Sequence, residues 1–250
     1  LVFEQLQPIH IGKLNYGVIA ETEIYIPGQT MWGALTKCYN IYNKANLNEN
    51  QELFSLITCF FPSLDGKKVL TPFYKNGMFY IGEDITEDEF RFAYTDTFVS
   101  TAVKYLSGDA IDGSLHEIDL LLPQPKNELP EERIYKNENL KWIGLLGVEM
   151  SNENIISFLR ENKLEINIGG DTRYGLGLLI LKTAKKAGKQ LLEGWNLNEY
   201  GELLLKNENN VLRNFMQINT GERFNLIGNI VPIAEFDFNN NNPIIKEASF

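Results

Sequence analysis

Apolar and polar positions alternate most regularly late in the chain. Leu164, Ile166 and Ile168 are separated by Glu165 and Asn167, the period of a half-buried strand, and Leu176 to Leu181 follows as an apolar run of strand length. Residues 1 to 26 read as a strand pair. Leu1, Phe3 and Ile9 mark one member, Val18, Ala20, Ile24 and Ile26 the other, and a loop from Gly12 to Gly17 is expected between them. Pro27-Gly28 interrupts the strand, and a helix is expected from about Thr30, taken as its N-cap, with Trp32, Leu35, Tyr39 and Tyr42 on neighbouring turns.

A second helix is predicted over Gln51 to Phe61, ended by Pro62, with Phe54, Phe60 and Phe61 in the core. Two short strands, Val69 to Tyr74 and Met78 to Ile81, should be joined at Asn76-Gly77, a strong hairpin turn. Phe90 to Leu122 is strand-like and interrupted by Gly108 and Gly113, as in a long projecting hairpin. Pro123 to Asn139, polar with three prolines, reads as a surface loop. A strand over Leu140 to Met150 leads to a helix capped by Ser151, with Ile155, Ile156 and Leu159 on one face. The tail offers a helix over Asn207 to Met216, a strand within Phe224 to Phe238 and a loop at Asn239 to Asn242. Strand, helix and strand in succession make one half of a ferredoxin-like unit, so the expected class is α+β. The expected organisation is one domain over 1–190 and a C-terminal extension over 191–250.

Between the two late strands lies Gly169-Gly170-Asp171-Thr172-Arg173-Tyr174-Gly175-Leu176-Gly177. Glycines at such a turn either relieve backbone strain or leave N–H groups free to line an anion site. Arg173 suits phosphate and Tyr174 suits stacking on a base.

Composition narrows the choice. The 250 residues carry 23 Lys and Arg against 33 Asp and Glu, a net charge of −10, which argues against non-specific coating of nucleic acid. From Gly169 to Gln190, however, Arg173, Lys182, Lys185, Lys186 and Lys189 face one anion, Asp171. This segment is either an RNA-touching face on an acidic body or a solvated turn. No apolar run approaches a membrane span, and the first residues lack the character of a signal peptide. Cys38 and Cys59, both expected on helices, suit free thiols in a reducing cytoplasm. With His10 and His116 they make no metal-ligand spacing, so neither a metal nor another cofactor is expected. The acidic residues Asp109, Asp112, Glu117 and Asp119 could in principle hold Mg²⁺ but read more simply as a solvated hairpin. Gly28-x-x-x-x-Gly33 is followed by Ala34-Leu35 where a nucleotide-hydrolase phosphate loop needs Lys and Ser or Thr. Gly175-x-Gly177 lacks the third glycine of a dinucleotide fingerprint.

Three segments in order, Pro8-Ile9-His10-Ile11-Gly12, then Tyr25-Ile26-Pro27-Gly28-Gln29-Thr30-Met31-Trp32-Gly33-Ala34-Leu35, then the Gly169 to Gly177 loop, resemble the repeat-associated mysterious protein (RAMP) superfamily. These are ferredoxin-like (RRM-like) RNA-binding subunits of CRISPR effector complexes. Gly108 to Glu117 resembles the hairpin those proteins insert, and the resemblance covers residues 1 to 182.

The resemblance implies a crRNA-binding role in a cytoplasmic ribonucleoprotein, with other effector subunits as partners. Gly28, Thr30 and Gly33 would approach the RNA backbone at a helix N-terminus. Gly169, Gly170, Gly175 and Gly177 would form the glycine-rich loop, with Arg173 and Tyr174 meeting RNA and His10 and Gly12 beside it. Lys182, Lys185 and Lys186 would extend the basic face. Target-cutting relatives carry an Asp after the first strand, whereas Gly12 to Gly17 holds Lys13, Leu14, Asn15 and Tyr16. A non-catalytic subunit of a type III complex, capping the 5′ handle, is therefore the expectation. The rivals are a RAMP endoribonuclease using His10 or His116, and a scaffold without RNA contact.

Overall fold

Residues 1–126, 139–149, 151–160, 164–204, 213, 216–217, 230–237 and 242–249 are described by a computed structural model. The first part of the chain runs β1 (Val2–Gln5), β2 (Gly12–Tyr16), β3 (Ile19–Thr22), α1 (Gly28–Tyr42), β4 (Phe61–Ser63), β5 (Pro72–Lys75), β6 (Met78–Ile81), β7 (Ile85–Thr86) and α2 (Glu87–Tyr94). Then follow β8 (Thr95–Ser100), β9 (His116–Leu121), β10 (Lys141–Ile143), α3 (Glu153–Arg160), β11 (Glu165–Asn167) and β12 (Leu178–Thr183). The tail holds α4 (Lys189–Gly194), β13 (Met216–Gln217), β14 (Ile230–Asp237) and β15 (Asn242–Ser249).

The central sheet has the order β11-β12-β1-β10-β4, with every neighbouring pair antiparallel. Without β11 this is the ferredoxin order, in which β1-α1-β4 and β10-α3-β12 are the two interleaved halves. Alternation along β1 puts Phe3 and Gln5 into the core. Leu35 and Tyr39 of α1 and Phe158 of α3 cover that face, and the rings of Tyr39 and Phe158 meet edge to face at 5.1 Å. Ile143 belongs to a second apolar cluster with Phe61 and Trp195. Thus α4 crosses the division expected at residue 190, and Trp195 just beyond it is buried against Phe61 at 6.2 Å between rings.

A second sheet, β2-β3-β9-β8, joins the first where Ile9 bridges Leu121. The joint is held by one buried amide. Gln5 Nε2 donates to the carbonyls of Leu121 and Gln7, and its Oε1 accepts from Trp142 Nε1. Every polar atom of that side chain is thereby satisfied in the interior.

Several expectations are corrected. Gly12 to Gly17 is not a loop: β2 pairs with β3 through a turn in which Gly17 has φ 65°. α1 starts at Gly28 with Pro27 as N-cap, so Thr30 sits inside its first turn. The helix over Gln51 to Phe61 is a single 3-10 turn, Gln51–Phe54, after which Phe60 pairs with Ile26 and Phe61 enters β4. Cys59 consequently lies on extended chain, while Cys38 is on α1. Phe90 is helical, because Thr86 and Glu89 form a reciprocal capping box that starts α2. The projecting hairpin runs from β8 to β9, and its arms pair on toward the tip where Val103 bridges Ala110. The α3 cap is Asn152, whose Oδ1 accepts from the Ile155 N–H. The Asn76-Gly77 hairpin and the buried Phe54, Phe60 and Phe61 are as expected. Most of the proline-rich loop, most of Asn207 to Met216 and Asn239 to Asn241 lie outside the described residues.

Candidate nucleic-acid interface

The chain leaving β1 passes through Pro8, Ile9 and His10, and the glycine loop is clasped against it. The Gly170 N–H donates to the His10 carbonyl at 2.9 Å, and the Gly177 N–H donates to the Pro8 carbonyl at 2.8 Å. The neck of the loop is closed by Ile168 N–H donating to the Gly177 carbonyl at 3.0 Å. Glycine is demanded at two positions of the clasp, Gly169 and Gly177. Gly169 has φ 75° and a Cβ there would strike the His10 carbonyl; Gly177 has φ 89° and a Cβ there would strike the Ile168 carbonyl. Between them Thr172–Tyr174 forms a 3-10 turn that ends at Gly175, also at positive φ, and presents Arg173 and Tyr174 to solvent. The Tyr174 ring is 83% exposed.

α1 forms the facing wall. Its first turn is anchored by Thr30 and Met31 N–H groups donating to the Pro27 carbonyl, and its later turns are held to the sheet where the Cys38 thiol lies 3.5 Å from the Glu165 carbonyl. Between helix and loop is a groove of about 480 Å³. It brings together Gly12, Thr30, Gly33, Gly169 and Gly170 of the expected residues and adds Gln29, Lys37 and Asn167, which the sequence reading missed. Gln29, Gly33 and Lys37 are spaced by four and form one stripe on the helix. That spacing was the available signal.

Gly33 differs from the loop glycines. It is exposed in mid-helix, and a Cβ built on it meets nothing within 4 Å. Gly28, by contrast, is buried where a Cβ would crowd the Ile57 and Thr58 carbonyls.

The other expected residues fall elsewhere. His10 is 9% exposed and its Nδ1 lies 2.8 Å from the Asp119 carbonyl. A carbonyl only accepts, so Nδ1 carries the proton, and the ring ties the two sheets together behind Gly12 and Gly170. His116 stands exposed on β9 opposite Ser100. Lys182 points from the other end of β12 and pairs with Glu4 at 2.6 Å; Lys185 and Lys186 are exposed beyond it. In the acidic hairpin, the Asp119 carboxylate accepts from the Thr97 hydroxyl at 2.9 Å. Among the described residues no cluster of His, Cys, Asp or Glu is close enough to hold a metal ion.

On the far side of Ile11, Glu23 sits among Lys13, Glu21, Glu87 and Arg91. Lys13 pairs with Glu21 at 3.2 Å and Arg91 with Glu87 at 2.8 Å. Burial pushes the Glu23 carboxyl up from its ordinary 4.5 to about 6, partly opposed by Lys13 and Arg91. The cations of this cluster are thus already matched by carboxylates.

No family model matches the sequence, and no curated protein does. Chains of solved structures match the fold, two of them as follows. One is the Type III-B Cmr-beta bound to cognate target RNA, with TM-score 0.60 and 11% identity over 100% of this chain and 83% of that one. The other is Type III-B Cmr-beta bound to cognate target RNA and AMPPnP, state 1, with TM-score 0.57 and 10% identity over the same shares. Among the described residues no helix is long and apolar enough to cross a membrane. The chain therefore has an α+β, ferredoxin-like fold, and it shares that fold with chains of the Type III-B Cmr-beta structures.

Proposed function

We propose that this chain is a crRNA-binding subunit of a type III CRISPR effector complex, holding the guide in the groove between α1 and the glycine loop, capping its 5′ handle and not cutting it. The observation that carries the reading is Gly33. A glycine in a helix interior costs about 1 kcal/mol relative to alanine. Nothing in the described structure occupies the place of its missing side chain, and that place opens on the groove. A ligand lying against the helix accounts for the gap. The capping position is favoured by the prominent glycine loop and by a β2 segment, Lys13 to Tyr16, that offers no carboxylate for target cutting. Catalysis by His10 is disfavoured because its ring backs the groove instead of lining it.

The test uses Gly33→Phe and measures both RNA affinity and unfolding. Phenylalanine is the better helix former, so the variant should be at least as stable as the native chain. Its affinity for guide RNA should fall at least about tenfold, the effect of losing one good contact of about 1.4 kcal/mol. Unchanged affinity would place the RNA outside this groove, and no affinity in the native chain would leave the scaffold reading, which the net charge of −10 suits. RNA shortened by its 5′ handle should bind more weakly than the full guide if the chain caps that end.

A further inference from the structure

We infer that the groove is a site for a single ribonucleotide unit, with Lys37 holding its phosphodiester and Asn167 and Thr30 reading the ribose 2′-hydroxyl. The inference rests on the groove being the RNA-facing surface, and it adds what that surface recognises.

Size sets the first limit. About 480 Å³ is comparable in volume to sites that take one small ligand, roughly 300–1,000 Å³, so the open groove has room for one unit of a strand and not for a long stretch of it. Charge sets the second. Among the described residues Lys37 is the one cation that lines the groove, no acidic residue lines it, and no carboxylate pairs with Lys37. One unmatched ammonium fits one phosphodiester. A terminal polyphosphate would need more positive charge.

The remaining polar groups are neutral and stand on both walls: Gln29 and Thr30 on α1, and Asn167 at the end of β11. An amide and a hydroxyl each supply both a donor and an acceptor, which is what a 2′-hydroxyl, itself both, requires. Lys37 stands one helical turn beyond Gly33, so a backbone lying in the open space over Gly33 passes under the ammonium.

The experiment measures binding of a fluorescein-labelled oligouridylate and its 2′-deoxy counterpart to the full chain over a series of salt concentrations. The native chain should prefer the ribose form. Lys37→Gln should weaken both ligands about tenfold and reduce the salt dependence by roughly one ion. Asn167→Ala should leave the salt dependence alone and shrink the ribose preference. Equal binding of the two native ligands, or an unchanged salt dependence in Lys37→Gln, overturns the inference. In either case a loss of guide binding on Gly33→Phe would still uphold the RNA-binding reading. If the native chain binds neither oligonucleotide, both readings fall together.

Discussion

The two walls of the groove use glycine for different reasons. On the loop wall, Gly169 and Gly177 are required by the chain itself, because their positive φ and the carbonyls of His10 and Ile168 leave no room for a Cβ. On the helix wall, Gly33 has ordinary helical backbone and open space, so the protein does not require it. A glycine-rich sequence mixes these two cases. Only the environment of each absent Cβ separates glycine demanded by folding from glycine left open toward something outside.

The comparison breaks most readily at Gly177. Gly177→Ala should destabilise the fold by about 3 kcal/mol or more, since a disfavoured φ and a blocked carbonyl contact act together, and the bonds to Pro8 and Ile168 are put at risk. Urea unfolding measures this directly. A midpoint equal to that of the native chain would mean the loop wall tolerates a side chain, and the distinction between the walls would collapse.

The measurement is sharpened by controlling pH, because Glu23, whose N–H donates to the Ile11 carbonyl, has its carboxyl raised into the working range. Its folded carboxyl is pushed up to about 6 by burial, above the ordinary 4.5. The folded state therefore binds this proton more tightly than the unfolded state. Below about pH 4.5 the group is protonated in both states and costs nothing. As pH rises through 6 the folded state must ionise a buried acid, and stability falls by about 2 kcal/mol. Glu23→Gln should therefore be more stable than the native chain by about that amount above pH 6, with the difference vanishing near pH 4.5. A gain that persists at low pH would show that packing, not ionisation, is responsible.

Local pattern was legible where local forces decide. The β11 alternation, the α1 periodicity and the Asn76-Gly77 turn are all written in neighbouring residues. Gln51 to Phe61 was misread because its apolar spacing suits a helix, whereas the Thr58 N–H finds the Leu145 carbonyl and Phe60 pairs with Ile26, partners distant in sequence. Gly12 to Gly17 was misread because Gly, Lys and Asn suggest a loop, yet the strand survives by pairing with β3. In the site, the glycines and the exposed Arg173 and Tyr174 were legible as types. Lys37 and Asn167 were not, because only the packing of α1 over β11 turns one lysine and one asparagine toward the same groove. His10 carried the right chemistry for RNA but spends its Nδ1 proton on the Asp119 carbonyl.

The smallest expected effect concerns the basic segment after the loop. In sequence Lys182 follows the glycine loop by a few residues, and charge alone would group it with Arg173. In the fold β12 carries it away: Leu178 lies beside Leu6 at the groove end, while Thr183 pairs with Val2 at the other. The strand separates Lys182 from Leu178 by roughly 14 Å. Its ammonium is also already matched by Glu4 at 2.6 Å, on a surface where such a pair is worth about 0.2–1 kcal/mol. Lys182→Ala should accordingly lower stability by less than about 1 kcal/mol, an effect diminished by salt, and leave affinity for guide RNA within about twofold. Binding titrations beside those of Lys37→Gln would check it. A tenfold loss at Lys182 would extend the RNA path along the whole of β12, and the groove would then be one end of an interface whose other end is the lysine segment.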